Sequence, residues 1–171
     1  KTGYTGSGGF ELYISNDNVE HIWDKLFSVE NLEVKPIGLA ARDTLRIEMG
    51  YCLYGNDINE LVSPIEANLG WITKVETNFI GSESIKKQIE NGIKKSLVGF
   101  IINDKGIPRK GYEIFDKSKN LVGEVTSGTF SPILKKGIGL AYIKNNIPLT
   151  EIYLKIRNNF IELEVVKTPF I

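Results

Sequence analysis

The spacing of apolar residues changes character near residue 92 of the chain. Before that point the strongest pattern is helical, with Val19, Ile22, Trp23, Leu26 and Phe27 on one face. After Lys94 the apolar residues instead form six short β-branched or aromatic runs separated by turn residues. These runs cover residues 97–102, 112–115, 121–126, 138–143, 152–156 and 160–166. The pattern predicts a small antiparallel barrel or sandwich after the helical part.

Four elements are predicted in the first part. A glycine-rich loop precedes residues 10–14, whose alternation predicts a half-buried strand. Asp17 and Glu20 form a capping-box pattern at the start of the amphipathic helix. A second helix is predicted within 38–50 and a third over 82–90, capped by Ser82 and with Ile85 and Ile89 inward. We therefore expect an α+β chain with domains at 1–92 and 93–171.

Composition excludes several classes of partner. The 171 residues include 21 basic and 21 acidic side chains, so the formal net charge is zero. This balance argues against nucleic-acid binding, and no apolar run is long enough to span a membrane. The single Cys52 cannot form an internal disulfide, and with the single His21 it cannot supply a zinc site. We expect no metal and a cytoplasmic protein.

The glycine loop does not match a nucleotide-binding motif. Glu11 stands where the dinucleotide fingerprint requires its third glycine, and the loop precedes a predicted strand instead of a helix. Glu11 lies near Tyr4, Phe10 and Tyr13 in sequence, a combination that can stack a flat heterocycle and accept two parallel hydrogen bonds from it. A surface or salt-bridging role is the alternative for this carboxylate.

Other charged residues leave similar alternatives open. Arg42 and Asp43 form either a surface charge pair within the second helix or a ligand clamp. Glu48 and Glu66 have the chemistry of paired general acids, but no pattern places them together. His21 falls off the apolar stripe, which is typical of a solvated side chain.

Five ordered motifs carry a resemblance to a known family. They cover residues 3–11, 38–48, 53–58, 63–71 and 123–143, beginning with the Gly-Tyr-Thr-Gly sequence at residue 3. The chain resembles the C-terminal half of the glycine cleavage system T proteins, the tetrahydrofolate-dependent aminomethyltransferases. The resemblance implies part of a mixed α/β folate-binding domain over 1–92 and a β-barrel over 93–171. The absence of an initial methionine fits this expectation of a fragment.

The same resemblance implies a folate site. Tyr4 would pack against the folate, Glu11 would bind the pterin ring, and Arg42 would be the folate-site arginine. A carboxylate suits the aminopyrimidinone edge of pterin, which offers adjacent N–H and NH₂ donors. Ser7 departs from the family pattern, since many members carry an acidic residue directly after the Gly-Tyr-Thr-Gly motif.

The implied reaction transfers the aminomethyl carbon from lipoylated H protein to tetrahydrofolate and releases ammonia. The family's catalytic aspartate lies before the Gly-Tyr-Thr-Gly motif, so no catalytic residue is assigned here and no turnover is expected from this chain alone. Two alternatives remain: a folate-binding protein of iron–sulfur cluster maintenance, and the folate domain of a sarcosine or dimethylglycine oxidase. The first carries a cysteine motif that Cys52 does not match, and upstream sequence would identify the second.

Overall fold

A computed structural model describes residues 3–171 of the chain. The helical elements precede all of the strands in this range. The helices are α1 (Val19–Phe27), α2 (Leu39–Glu48) and α3 (Ser82–Asn91), with short 3₁₀ turns at Asn16–Asn18, Gly70–Ile72 and Val75–Thr77. The strands are β1 (Lys95–Ile102), β2 (Glu113–Asp116), β3 (Leu121–Ser131), β4 (Lys136–Lys144), β5 (Ile152–Ile156) and β6 (Asn159–Val166).

The six strands form a closed antiparallel barrel in the order β1-β4-β3-β2-β5-β6, and β6 pairs back with β1. Each strand overlaps one of the six predicted runs. Strand β5 has the predicted bounds, β2 lies one residue later, and the other four extend by one to five residues at one or both ends. Closure pairs both edges of the sheet, which removes unsatisfied edge groups. The α+β class with a small antiparallel barrel is thus confirmed.

Strand β4 is buried on both of its faces. One face contributes Ala141 and Ile143 to the interior of the barrel. The other face places Leu140 and Tyr142 in a second apolar cluster with Leu97 of β1, against which Cys52, Val62 and Phe170 pack. The region between α2 and α3 thus packs on the outside of the barrel and covers one side of it.

Several predicted details before residue 92 are wrong. Residues 10–14 form no strand, and Phe10 and Tyr13 are 78% and 94% exposed. A strand requires a hydrogen-bonded neighbour, and none of the paired strands in residues 3–171 runs beside this segment. No side-chain cap opens α1 or α3, so neither Asp17 nor Ser82 acts as predicted, and Ile89 is exposed.

The domain boundary near residue 92 stays a prediction. In the described part of the chain the barrel sheet begins only at Lys95, and an isolated bridge between Tyr54 and Ile58 lies outside it. Contacts nevertheless cross the boundary, since the backbone N–H of Leu97 donates to the carbonyl of Glu66 at 2.8 Å. No helix within residues 3–171 is long and apolar enough to cross a membrane.

Candidate functional site

Two of the three predicted site residues, Tyr4 and Arg42, contact each other. The guanidinium of Arg42 lies 4.7 Å from the centre of the Tyr4 ring, in cation–π geometry. The Tyr4 hydroxyl donates to the carbonyl of Cys52 at 2.5 Å, and its ring stacks on Tyr51 with 6.0 Å between centroids. Burial raises the pKa of the Tyr4 phenol, so the hydroxyl keeps its proton and remains a donor.

An open cavity of about 810 Å³ adjoins this group. It lies between the barrel and the segment after α2, and Tyr51 forms part of its wall. Its other walls are mainly apolar and include Met49, Trp71, Leu97 and Leu140. A cleft of this size with aromatic walls has the dimensions of a site for a small organic ligand.

Glu11, the third predicted residue, is exposed and does not line this cavity. It belongs to segment 10–14, which follows the glycine loop and has no regular secondary structure. The loop itself lies against the cavity wall, because a side chain at Gly6 would collide with Met49. The structure therefore brings Tyr4 and Arg42 together beside the cavity and leaves Glu11 outside its walls.

Beneath this group, the Arg46 side chain is almost completely buried, at 1% exposure. It donates to Asp43 at 2.7 Å, to the carbonyl of Tyr51 at 2.9 Å, to Asp57 at 2.7 Å and to the hydroxyl of Ser127 at 2.8 Å. Burial alone would lower the pKa of Arg46, but the charge of Asp57 and the bond to Asp43 raise it overall. Arg46 therefore remains a cation inside the protein.

The carboxylate of Asp57 faces Arg46 and is fully buried. It also accepts from the backbone N–H of Leu53 at 2.9 Å, from the Thr126 hydroxyl at 2.5 Å and from the Ser127 hydroxyl at 2.9 Å. Four donors thus satisfy the two carboxylate oxygens without solvent. We call Arg46, Asp57, Thr126 and Ser127 the Arg46–Asp57 cluster.

Two further polar contacts join α2 to β3. The hydroxyls of Thr44 and Thr129 lie 2.8 Å apart, and the Ser131 hydroxyl donates to Glu48 at 2.5 Å. The carboxylate of Glu48 is therefore hydrogen-bonded to the barrel. The carboxylate of Glu66 instead accepts from the backbone N–H of Ser63. The two glutamates form separate structural contacts, as the sequence left open.

The predicted surface charge pair between Arg42 and Asp43 is not formed, because the carboxylate of Asp43 binds Arg46. Arg42 instead lies over the ring of Tyr4. Beside them, burial raises the pKa of the Cys52 thiol to about 11. Within residues 3–171, no three His, Cys, Asp or Glu side chains come together as metal ligands would.

Sequence reasoning did not identify Tyr51, Trp71 or the Arg46–Asp57 cluster. Arg46 and Asp57 both stand within the motifs that carry the family resemblance, and Arg46 follows Arg42 by one helical turn. Both residues were therefore visible in the sequence, but the sequence does not show whether a charged side chain is buried or exposed. Only the tertiary contact with the Thr126–Ser127 hydroxyls distinguishes the two.

Comparison with known proteins matches both parts of this architecture. Residues 1–77 match the model of the GCVT N-terminal domain, and residues 95–171 match that of the glycine cleavage T-protein C-terminal barrel domain. A helical segment packed on a closed six-stranded barrel is therefore the arrangement of a T-protein-type chain. The chain belongs to the glycine cleavage T-protein family, and the predicted resemblance to the C-terminal half of that family is confirmed.

Individual relatives agree with this assignment. An aminomethyltransferase of Flavobacterium psychrophilum is 52% identical over 99% of this chain, and one of Porphyromonas gingivalis is 51% identical over the same share. The crystal structure of glycine cleavage system aminomethyltransferase T from Bartonella henselae superposes with a TM-score of 0.90 at 34% identity, again over 99% of the chain. In each case the match covers 48% of the relative, so the chain spans about half the length of these proteins.

Proposed function

We propose that this chain is the folate-binding and barrel part of an aminomethyltransferase of the glycine cleavage system. In the complete enzyme the aminomethyl carbon of lipoylated H protein passes to tetrahydrofolate, giving 5,10-methylenetetrahydrofolate and ammonia. The observation that carries the proposal is the pair of Tyr4 and Arg42 beside an aromatic-walled cavity, in a chain whose relatives are named aminomethyltransferases. Those names favour this reaction over the iron–sulfur and oxidase alternatives.

The proposed folate site uses four side chains. Tyr4 and Tyr51 offer stacked aromatic faces to the ring system, and Arg42 offers a fixed cation above Tyr4. Glu11 would bind the N–H and NH₂ edge of the pterin, which requires segment 10–14 to lie against the ligand. The protein's main contribution to catalysis would be orientation of the folate nitrogen against the lipoyl arm.

We further propose that the exposed apolar surface of this chain packs against a polypeptide similar to the first half of the longer relatives. Residues 10–39, here called the apolar segment, contain no buried side chain. The apolar face of α1 is open, with Val19, Trp23 and Leu26 between 44% and 55% exposed. The structure nevertheless matches that of a chain twice as long with a TM-score of 0.90. The remaining half of such a chain is the partner that we propose for this surface.

The exposed area supports the same proposal. The accessible surface is 11904 Å², whereas a compact monomer of this mass exposes about 8,400 Å² by the usual scaling. The excess of about 3,500 Å² is ample for a stable interface, since specific complexes commonly bury about 800 Å² on each partner. The proposed bacterial enzyme would act in the cytoplasm, which the low cysteine content favours.

Folate binding is tested by titrating tetrahydrofolate into this chain combined with the first half of the Flavobacterium psychrophilum relative. Glu11→Gln and Arg42→Ala should each weaken binding about tenfold or more, because each removes a charged hydrogen-bonding or cation–π contact. Glu90→Gln and Arg109→Ala are matched controls at exposed positions. Unchanged affinity in both test variants would place the folate elsewhere.

The transfer reaction is tested by ammonia release from aminomethylated H protein in the presence of tetrahydrofolate. The combined halves should release ammonia, and this chain alone should not. Aminomethyl transfer by this chain alone would contradict the proposed division of the enzyme.

A further inference from the structure

The Arg46–Asp57 cluster connects the candidate site to the barrel through a bulge in β3. The pairing of β3 with β4 shifts register between Val125 and Ser127, which leaves Thr126 as an extra residue. In a regular strand, successive side chains point to opposite faces of the sheet. Here the hydroxyls of both Thr126 and Ser127 reach the carboxylate of Asp57. The bulge is what allows two neighbouring residues to bind one group.

The cluster also fixes the backbone that holds the candidate site. Asp57 accepts from the N–H of Leu53, and Arg46 donates to the carbonyl of Tyr51. The carbonyl between these two anchored residues, that of Cys52, accepts from the hydroxyl of Tyr4. The position of Tyr4 is therefore set by a backbone segment that the cluster holds on both sides.

Arg42 depends on the same anchor. It lies one helical turn before Arg46 on α2, and Arg46 attaches that helix to Asp57 and to Ser127 of the barrel. Tyr4 is thus held by the backbone segment around Cys52 and Arg42 by helix α2, and both of these elements are hydrogen-bonded to the cluster around the buried carboxylate of Asp57. A buried polar network whose groups are all hydrogen-bonded rigidifies the elements that it joins.

We propose that Asp57, held by the bulge residues Thr126 and Ser127, is a positioning residue that keeps Arg42 over the ring of Tyr4. Strand β3, none of whose residues lines the cavity, then acts on the site through this carboxylate. The functional part of this assignment rests on the folate site proposed above, whereas the geometric part concerns the protein without ligand.

The geometric part is tested by NMR of this chain. The Tyr4 ring should displace the Hδ resonances of Arg42 through its ring current. Replacing both bulge hydroxyls, with Thr126→Val and Ser127→Ala, should return these resonances toward their free-arginine positions. Thr126→Ser, which keeps a hydroxyl, should restore them in the presence of Ser127. Ser96→Ala removes a barrel hydroxyl that binds Asn145 instead, and it should leave Arg42 unchanged.

Methyl resonances of the barrel interior, such as those of Ile114 and Leu154, report whether each variant remains folded. If the double variant does not fold, Ser127→Ala alone serves the same comparison. Arg42 resonances that stay in place in a folded variant lacking these hydroxyls would overturn the proposal.

The functional part uses the combined halves and tetrahydrofolate. The double variant should bind tetrahydrofolate about tenfold more weakly, and Ser96→Ala should bind it normally. Full affinity in the double variant, with Arg42 unmoved, would overturn the positioning role. A displaced Arg42 in a protein whose wild-type form does not bind tetrahydrofolate would support the positioning role and overturn the folate site.

Discussion

Among single residues, the buried pair of Arg46 and Asp57 carries the largest electrostatic consequence. The guanidinium and the carboxylate lie 2.7 Å apart with 1% and 0% of their side chains exposed. Such a pair adds little net stability by its charges alone, because both ions lose their hydration. Removing one partner is a different matter, since the other charge is then buried without compensation.

We therefore expect Arg46→Met to destabilise the chain by about 3–5 kcal/mol. Arg42→Met makes the same chemical change one turn earlier, where the side chain is exposed and, within residues 3–171, contacts the Tyr4 ring. It should cost about 1 kcal/mol or less. Urea denaturation of both variants measures the difference. Equal losses of unfolding free energy in the two variants would contradict the predicted cost of leaving Asp57 buried without its partner.

A second prediction at this scale concerns Cys52. Burial, reinforced by the negative charge of Asp57, raises the pKa of this thiol from 9.0 to about 11. At pH 8 the folded chain should then hold about a hundredfold less thiolate than the unfolded chain, and iodoacetamide should alkylate it correspondingly more slowly. The contribution to stability is present below pH 9 and is lost as the pH rises through 11. Equal alkylation rates with and without urea at pH 8 would contradict the burial.

At the level of elements, helix α2 is fixed at its end by a left-handed glycine. Gly50 has φ +70°, its N–H bonds the carbonyl of Ile47, and the N–H of Tyr51 bonds the carbonyl of Arg46. These two bonds are those of a Schellman motif. The turn directs Tyr51 and the residues after it back across the barrel, toward Tyr4.

Gly50→Ala should destabilise the chain by at least about 1–2 kcal/mol, because an L side chain is strained at positive φ and would also meet Thr168. Gly38, the N-cap of the same helix, has φ −77° and open space around it. Gly38→Ser should be neutral or slightly stabilising, since serine is a better N-cap. Thermal unfolding of the two variants compares both ends of α2. A neutral Gly50→Ala would contradict the turn.

Elements were predictable where their stabilising contacts lie close in sequence or repeat along it. The six barrel strands followed from β-branched runs between turns, and α2 followed from helix formers between Gly38 and Gly50. Residues 10–14 have the alternation of a strand but no paired neighbour, so the local pattern alone gave the wrong structure.

The candidate site was predictable only in part. Tyr4 and Arg42 were named from the family motifs, and the structure places them in contact. The role of Asp57 depends on hydroxyls that lie about 70 residues later in the chain, and on a bulge that aligns both of them. No pattern within one segment of the sequence carries such a contact.

For the molecule as a whole, the distribution of buried surface is uneven. The interior of the barrel and the outer faces of β1 and β4 contain most of the core, whereas the apolar segment contributes none of it. By surface-to-volume scaling, a chain of this length buries about 70% of the surface that its unfolded form exposes. This chain leaves more of its surface accessible than that scaling gives, in keeping with the proposed packing of the apolar segment on a first half.

Trp23 provides a direct test of the proposed packing. Its indole is 55% exposed on the open face of α1. In a Trp71→Phe background, the fluorescence of Trp23 in this chain should resemble that of a solvated indole. Adding the first half of the Flavobacterium psychrophilum relative should shift the emission to shorter wavelength. An unchanged spectrum in a mixture that forms a stable complex would mean that the first half does not cover α1.

The attachment of α2 to β3 divides the chain into a part that is strongly protected from hydrogen exchange and proteolysis and a part that is weakly protected. Residues from α2 onward share hydrogen bonds with the barrel through Thr44, Arg46 and Glu48, and opening them requires breaking buried contacts. The apolar segment can open without disturbing any of these. Amide hydrogens of β4 should therefore exchange with deuterium at the slowest rates, whereas those of α1 should exchange within the earliest time points. A protease should trim the chain up to about α2 and leave the barrel, with Asp57 still in place, as the resistant product.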